Sequence, residues 1–189
     1  GVKIASKNKN NSVLKEVERH VLSHPEFADH YAKGYVPSLA KMNELAAAPE
    51  NSFGRALYQH LHKNNLNLEL FPRFQFESPI EYLSLRIYQD HDLWHVLLDC
   101  GVEIEDELAV QGFGVAQLRS PIAVLIIIGG LLSLIRKSPL RAVQAVKRIV
   151  QGYNQGQRSP FLLGIRIHEY FHMPLTEVRA LCGISLGHT

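Results

Sequence analysis

The chain is expected to be all-α, folded as one irregular helical bundle, and three observations lead there. Apolar residues recur at three- and four-residue spacing along most of its 189 residues. Pro and Gly punctuate those runs at helix-sized intervals. No segment alternates apolar and polar residues between hairpin turns, as half-buried strands do.

The first residues, GVKIASKNKNN, are polar and basic, hold no apolar signal core and do not begin with Met. Residues 1–11 therefore read as a flexible or processed terminus, and 12–189 as the single helical domain. The first helix is expected at Ser12–Ser23, and the second at Ser38–Ala47, after Pro37. Ser52 precedes FGRALYQHL and opens a third, to Asn64, while LNLELFPRF at 66–74 reads as a short extended piece. Ser78 and Pro79 introduce a long helix at Ile80–Asp99, and the turn at Gly101 separates it from Glu103–Gln117. Ser-Pro pairs open helices at Pro121–Arg136, Pro139–Gln155 and Pro160–Phe171, and Leu175–Leu181 closes the chain. At such starts the Ser hydroxyl caps the first turn and Pro presets its φ.

Hydrophobic content of 46% and charged content of 20% are those of a soluble globular protein, which excludes disorder as the dominant state. Two cysteines, Cys100 and Cys182, are too few for a disulfide framework and read as buried thiols in a reducing compartment. The net charge of +2 hides an asymmetry, because no acid occurs between Glu107 and Glu169. Across that gap stand Arg119, Arg136, Lys137, Arg141, Lys147, Arg148, Arg158 and Arg166, suited to a solvated basic face or to anionic partners such as lipid headgroups. Nucleic acid is not expected, since no groove-reading motif is present and the basic residues are not interleaved with aromatics.

IAVLIIIGGLLSLI, Ile122–Ile135, has fourteen uncharged residues where a bilayer needs roughly twenty, so a central buried helix is expected. Gly129 and Gly130 each cost it about 1 kcal/mol in helix propensity, which implies a close neighbour there, either another helix or a long apolar ligand.

Two histidine pairs compete for a metal site. In HDLWH, His91 and His95 lie four apart and share one helical face with the stripe of Leu83, Ile87 and Leu98, and Asp92 follows on the adjacent face. If the chain reverses at Gly101 as an antiparallel helical hairpin, His95, six residues before, faces Glu107, six after. A site between two helices then has two histidines and two carboxylates, as bundle interiors hold ions. The alternative is that the acids at 103–107 complement the helix dipole, which suits Glu103, Glu105 and Asp106 better than Glu107. The rival HEYFH matches the zinc-protease pattern at His168 and His172, but Pro174 should end its helix, and only Glu177 is left as a third ligand. A chance match is the better account.

HDLWH, eleven residues and then Glu107 resembles the motif of the ubiquinone (coenzyme Q) biosynthesis protein 4 family. The similarity is strongest from Ile80 to Pro121 and weaker over SFGRALYQHL. The resemblance implies a helical protein with His91, Asp92, His95 and Glu107 as metal ligands, usually to zinc. It also implies peripheral attachment to a membrane and assembly with other quinone-biosynthesis proteins. The implied setting is a bacterial cytoplasmic face, or the matrix side of the mitochondrial inner membrane in a eukaryote. The implied chemistry removes the ring carboxylate of a prenylated hydroxybenzoate and puts hydroxyl in its place. Two carboxylates also suit magnesium, manganese or ferrous iron.

On that basis Tyr88 and Gln111, one turn from Asp92 and from Glu107, are expected around the ligands, and Ile126, Gly129 and Gly130 in a groove for the isoprenoid tail. A homodimer is compatible with this reading. The competing expectations are a non-catalytic polyprenyl-lipid scaffold and, more distantly, a zinc metallopeptidase built on HEYFH.

Overall fold

The computed structural model describes residues 12–38, 40–66 and 75–186. Among them the protein is a single all-α domain, with no strand and one isolated bridge between Ser52 and Pro174. Its helices are α1 (Ser12–Leu22), α2 (Pro25–Ala32), α3 (Met42–Ala47), α4 (Phe53–Lys63) and α5 (Pro79–Leu97), then α6 (Ile104–Leu118), α7 (Pro121–Lys137), α8 (Pro139–Arg158) and α9 (Leu175–Leu181). The terminus at 1–11 and nearly all of the extended piece expected at 66–74 lie outside the described residues.

Capping chemistry accounts for several of the starts. Ser52, Ser78 and Ser120 each accept a hydrogen bond from the backbone N–H three residues on, opening α4, α5 and α7. Pro occupies the first turn of α5, α7 and α8. The sequence reading passed over α2, which has eight residues, no side-chain cap and Pro25 in its first turn as its main signal.

The main core gathers around α5. Leu93, Trp94 and Leu97 are buried there against Val17 and Val21 of α1, Leu57 and Leu61 of α4, Phe113 of α6 and Val178 of α9. A second, smaller core joins α6, α7 and α8 through Leu108, Leu134, Ala142 and Ala145. The packing of α6 on α8 is so close that a β-carbon at Gly152 would collide with the Ala109 carbonyl oxygen, and one at Gly112 with the Ile149 carbonyl. Glycine there lets the backbones touch. In the expected hairpin of α5 and α6, α6 lies chiefly along α8 and meets α5 where His95 faces Glu107 and Trp94 packs on Phe113.

Two further expectations are corrected. The apolar helix α7 is not central: only Ala123 and Leu134 are buried, while Ile122 is 62% and Leu125 68% exposed. Its apolar residues run all the way round, α6 and α8 cover one side, and the other side faces outward. Gly130 accounts for the close neighbour, since a β-carbon would stand 2.7 Å from Leu108, whereas Gly129 faces open space. No helix among the described residues is long and apolar enough to cross a membrane. The helix expected at Pro160–Phe171 is instead two short 3-10 turns, Leu162–Gly164 and Ile167–Tyr170. Side-chain and inter-segment bonds compete with helix there: Leu162 N–H donates to Gln117, and the Phe171 and Met173 carbonyls accept from Gly54 and Phe53 at the start of α4.

The two kinds of glycine predict opposite outcomes in thermal melts. Gly152→Ala should destabilise by about 1–3 kcal/mol or more, as overpacked contacts do. Gly129→Ala, with open space around it, should stabilise by about 0.5–1 kcal/mol.

Candidate metal centre

The centre is built on the turn that joins α5 to α6. At the end of α5 the chain reverses through Asp99, whose φ of 55° is left-handed, a conformation that Asp tolerates better than most residues. The Cys100 N–H then closes on the His95 carbonyl at 2.8 Å. Gly101 contributes close approach rather than an unusual φ: a β-carbon would stand 3.2 Å from the Asp106 carboxylate, which accepts the Gly101 N–H at 2.8 Å. Arg148 of α8 holds the other Asp106 oxygen through Nε at 3.0 Å. The same turn orients His95, whose Nδ1–H donates to the Gly101 carbonyl at 2.9 Å. In the neutral ring that leaves the Nε2 lone pair free for an ion.

His91, His95 and Glu107 come together, each offering one ligand atom within 4.8 Å of the others. His95 Nε2 stands 3.4 Å from Glu107 Oε1, and His91 Nε2 3.9 Å from Glu107 Oε2. Two imidazoles and a carboxylate are a donor set that zinc accepts, with a fourth position left over. Asp92 is not in that three-residue group; its Oδ1 stands 3.8 Å from Nδ1 of His91. Gln111 is half-buried on α6, Tyr88 is 47% exposed on α5, and Ile126 and Gly129 are exposed on α7.

Protonation in this cluster is set by burial against pairing. Burial alone lowers His95, but the bond to Glu107 and its charge raise it above the ordinary imidazole value. Burial raises Glu107, and the bond and charge of His95, then the charge of His91, bring it below the ordinary carboxylate value. Asp92 is likewise lowered: burial raises it, but the neighbouring His91, then His60 and His95, outweigh that burial.

HEYFH does something else. His168, in the second 3-10 turn, is buried and its Nε2 meets Asp90, which in turn accepts from Arg86 at 3.0 Å. His172 is exposed beyond the turn, so the two histidines do not converge on an ion. The basic stretch is also partly used internally: Arg141 pairs with Glu105 at 2.5 Å and Glu103 at 3.3 Å, and Arg148 with Asp106. Burial pushes the Cys182 thiol up to about 11 and that of Cys100 to about 12, so both are inert. Sequence reading missed Arg148 and, from α4, His60, whose ring lies 5.3 Å from that of His95. Neither had a local signal, because both reach the centre from other helices.

Residues 8–187 match the family model described as coenzyme Q (ubiquinone) biosynthesis protein Coq4. The chain is 24% identical over 170 residues to the mitochondrial ubiquinone biosynthesis protein COQ4 homolog 2 of Paramecium tetraurelia, covering 88% of this chain and 80% of that one. It is 28% identical over 150 residues to the mitochondrial COQ4 homolog of Bos taurus, covering 78% and 56%. With mitochondrial COQ4 of Saccharomyces cerevisiae strain RM11-1a it shares 33% over 152 residues, covering 77% and 43%. The chain thus spans only about half of the bovine and yeast relatives it matches. A crystal structure from Nostoc punctiforme, of a protein named for ubiquinone biosynthesis, has the same fold at a TM-score of 0.83 and 19% identity, covering 95% of this chain and 84% of its own.

The shifts predict how pH acts on the metal-free protein. The contribution of His95 is full below the ordinary imidazole value of 6.5 and is lost as pH rises through its raised value. That of Glu107 is full above 4.5 and is lost as pH falls through its depressed value. Melting of chelator-treated protein should therefore show the pair's contribution greatest between 4.5 and 6.5. Added zinc should stabilise most on the alkaline side, where His95 has released its proton.

Proposed function

Because this chain belongs to the coenzyme Q (ubiquinone) biosynthesis protein Coq4 family, we propose that it acts on a prenylated hydroxybenzoate in ubiquinone biosynthesis, as a metal-dependent catalyst of ring decarboxylation and hydroxylation. The observation that carries this reading is the convergence of His91, His95 and Glu107. These three hold a divalent ion, zinc or one of magnesium, manganese and ferrous iron. Asp92, the fourth ligand implied by the family motif, has Oδ1 3.8 Å from Nδ1 of His91 and would add negative charge beside the ion. The ion, when bound, supplies Lewis acidity toward the substrate's carboxylate or phenolate. Gly101 holds His95 with Nε2 toward the ion, and Asp106 and Arg148 hold the turn that carries Gly101. Replacing the carboxylate by hydroxyl is a two-electron oxidation that needs an external oxidant; with dioxygen in that role, acid, dioxygen and water give phenol, carbon dioxide and hydrogen peroxide.

The outward face of α7 supports a lipid substrate. Ile122, Leu125, Ile126 and Ile128 are exposed together with Val143 and Val146 of α8, an apolar surface of the kind that meets lipid or protein partners. Arg136 and Lys137, exposed at the end of α7, suit anionic headgroups at a membrane surface. The same surface favours the second reading, a scaffold that binds polyprenyl lipid, or other quinone-biosynthesis proteins, without turnover.

Metal analysis of purified protein should find one divalent ion per chain in the parent, and His95→Ala or Glu107→Ala should bind it at least about 100-fold more weakly. The parent with metal and oxygen should convert a prenylated hydroxybenzoate, releasing carbon dioxide, and both variants should lose that turnover. Unchanged metal content in the variants would sink the metal reading; lipid binding without turnover in the loaded parent would favour the scaffold.

A separate measurement addresses the surface. Leu125→Asp combined with Ile128→Asp should abolish co-sedimentation with anionic vesicles while leaving metal content unchanged. Continued sedimentation would remove α7 from the lipid-facing role.

A further inference from the structure

Near the centre, a side chain of α4 has a buried polar atom with no hydrogen-bond partner among the described residues. His60 stands in the last turn of α4, a helix that supplies none of the proposed ligands. Its ring lies against that of His95, with centroids 5.3 Å apart and planes at 31°. Its Nε2 is buried and has no hydrogen-bond partner among the described residues. A buried ring nitrogen left in that state is costly, and proteins keep such groups where a ligand or water supplies the missing bond.

The surroundings indicate what kind of ligand. His60 is half-buried with its ring against that of His95, and an imidazole can donate a hydrogen bond through a ring N–H. An ion held by three protein groups keeps a position open, and the natural occupant is an anionic oxygen. An imidazole N–H beside that position gives a charge-assisted bond to the anion.

We propose that His60 is a ligand-binding residue of the centre, whose Nε2–H donates to an oxygen of the aromatic carboxylate that binds at the ion held by His91, His95 and Glu107. This rests on the metal reading above and adds to it a substrate contact from α4. The three ligands hold the ion, and His60 orients the carboxylate on it.

Cobalt(II) in place of the native ion gives a visible spectrum that reports binding of 4-hydroxybenzoate, and this is the test. His60→Phe keeps an aromatic ring against His95 and removes the donor, so 4-hydroxybenzoate should bind about tenfold more weakly. Cobalt affinity and melting temperature should remain those of the parent. His60→Gln, which retains an N–H, should lose less, and phenol, which lacks the carboxylate, should bind the parent and both variants alike. Equal 4-hydroxybenzoate affinity in the parent and His60→Phe would mean that Nε2 faces only a buried water, and would overturn the proposal. Loss of cobalt from His60→Phe would make the residue an ion ligand and overturn it as well. If the parent itself takes up no cobalt, the metal reading fails and this inference with it; cobalt uptake with unchanged anion affinity sinks this inference alone.

Discussion

Asp106 is the group on which the geometry of the centre depends. One of its oxygens takes the Gly101 N–H and the other takes Arg148, so a single carboxylate ties the α5–α6 turn to α8. Through the Gly101 carbonyl the same turn aims His95, and with it the nitrogen that faces Glu107. The close crossing of α6 and α8 at Gly112 and Gly152 places Arg148 opposite Asp106. Helix packing in one half of the molecule is thereby converted into the orientation of an imidazole in the other.

The opposite side of α5 is held by buried charge. Arg86 and Asp90 have no exposed side-chain surface, and His168 adds a second partner to Asp90. Removing one member of such a set leaves an uncompensated charge inside the protein and typically costs about 3–5 kcal/mol. Asp90 directly precedes His91, so this network bears on which way the ligand face of α5 turns. HEYFH therefore contributes to the fold: its first histidine locks α5, and the carbonyls after it pair with the start of α4.

Charge and apolarity are also distributed differently from their order in the chain. The basic run after Glu107 is partly neutralised by the acids at 103–106, because α8 lies along α6 and brings Arg141 and Arg148 to them. The apolar run of α7 is pushed outward for the same reason, since α8 already occupies the face of α6 that a central helix would need. A sequence that looks like a buried core helix beside a basic surface becomes an apolar surface beside internal ion pairs.

What the sequence determined by itself was whatever depends on local spacing. The all-α class, the capped starts at Ser52, Ser78 and Ser120, and the facing of His95 and Glu107 across a short turn follow from neighbours within one or two helical turns. The tertiary structure alone decided what depends on distant helices: the outward face of α7, the two 3-10 turns at 162–170, the approach of Arg148 to the turn and that of His60 to His95. Periodicity says which residues share a face; which neighbour then covers that face is settled by competition among all the helices for the same core.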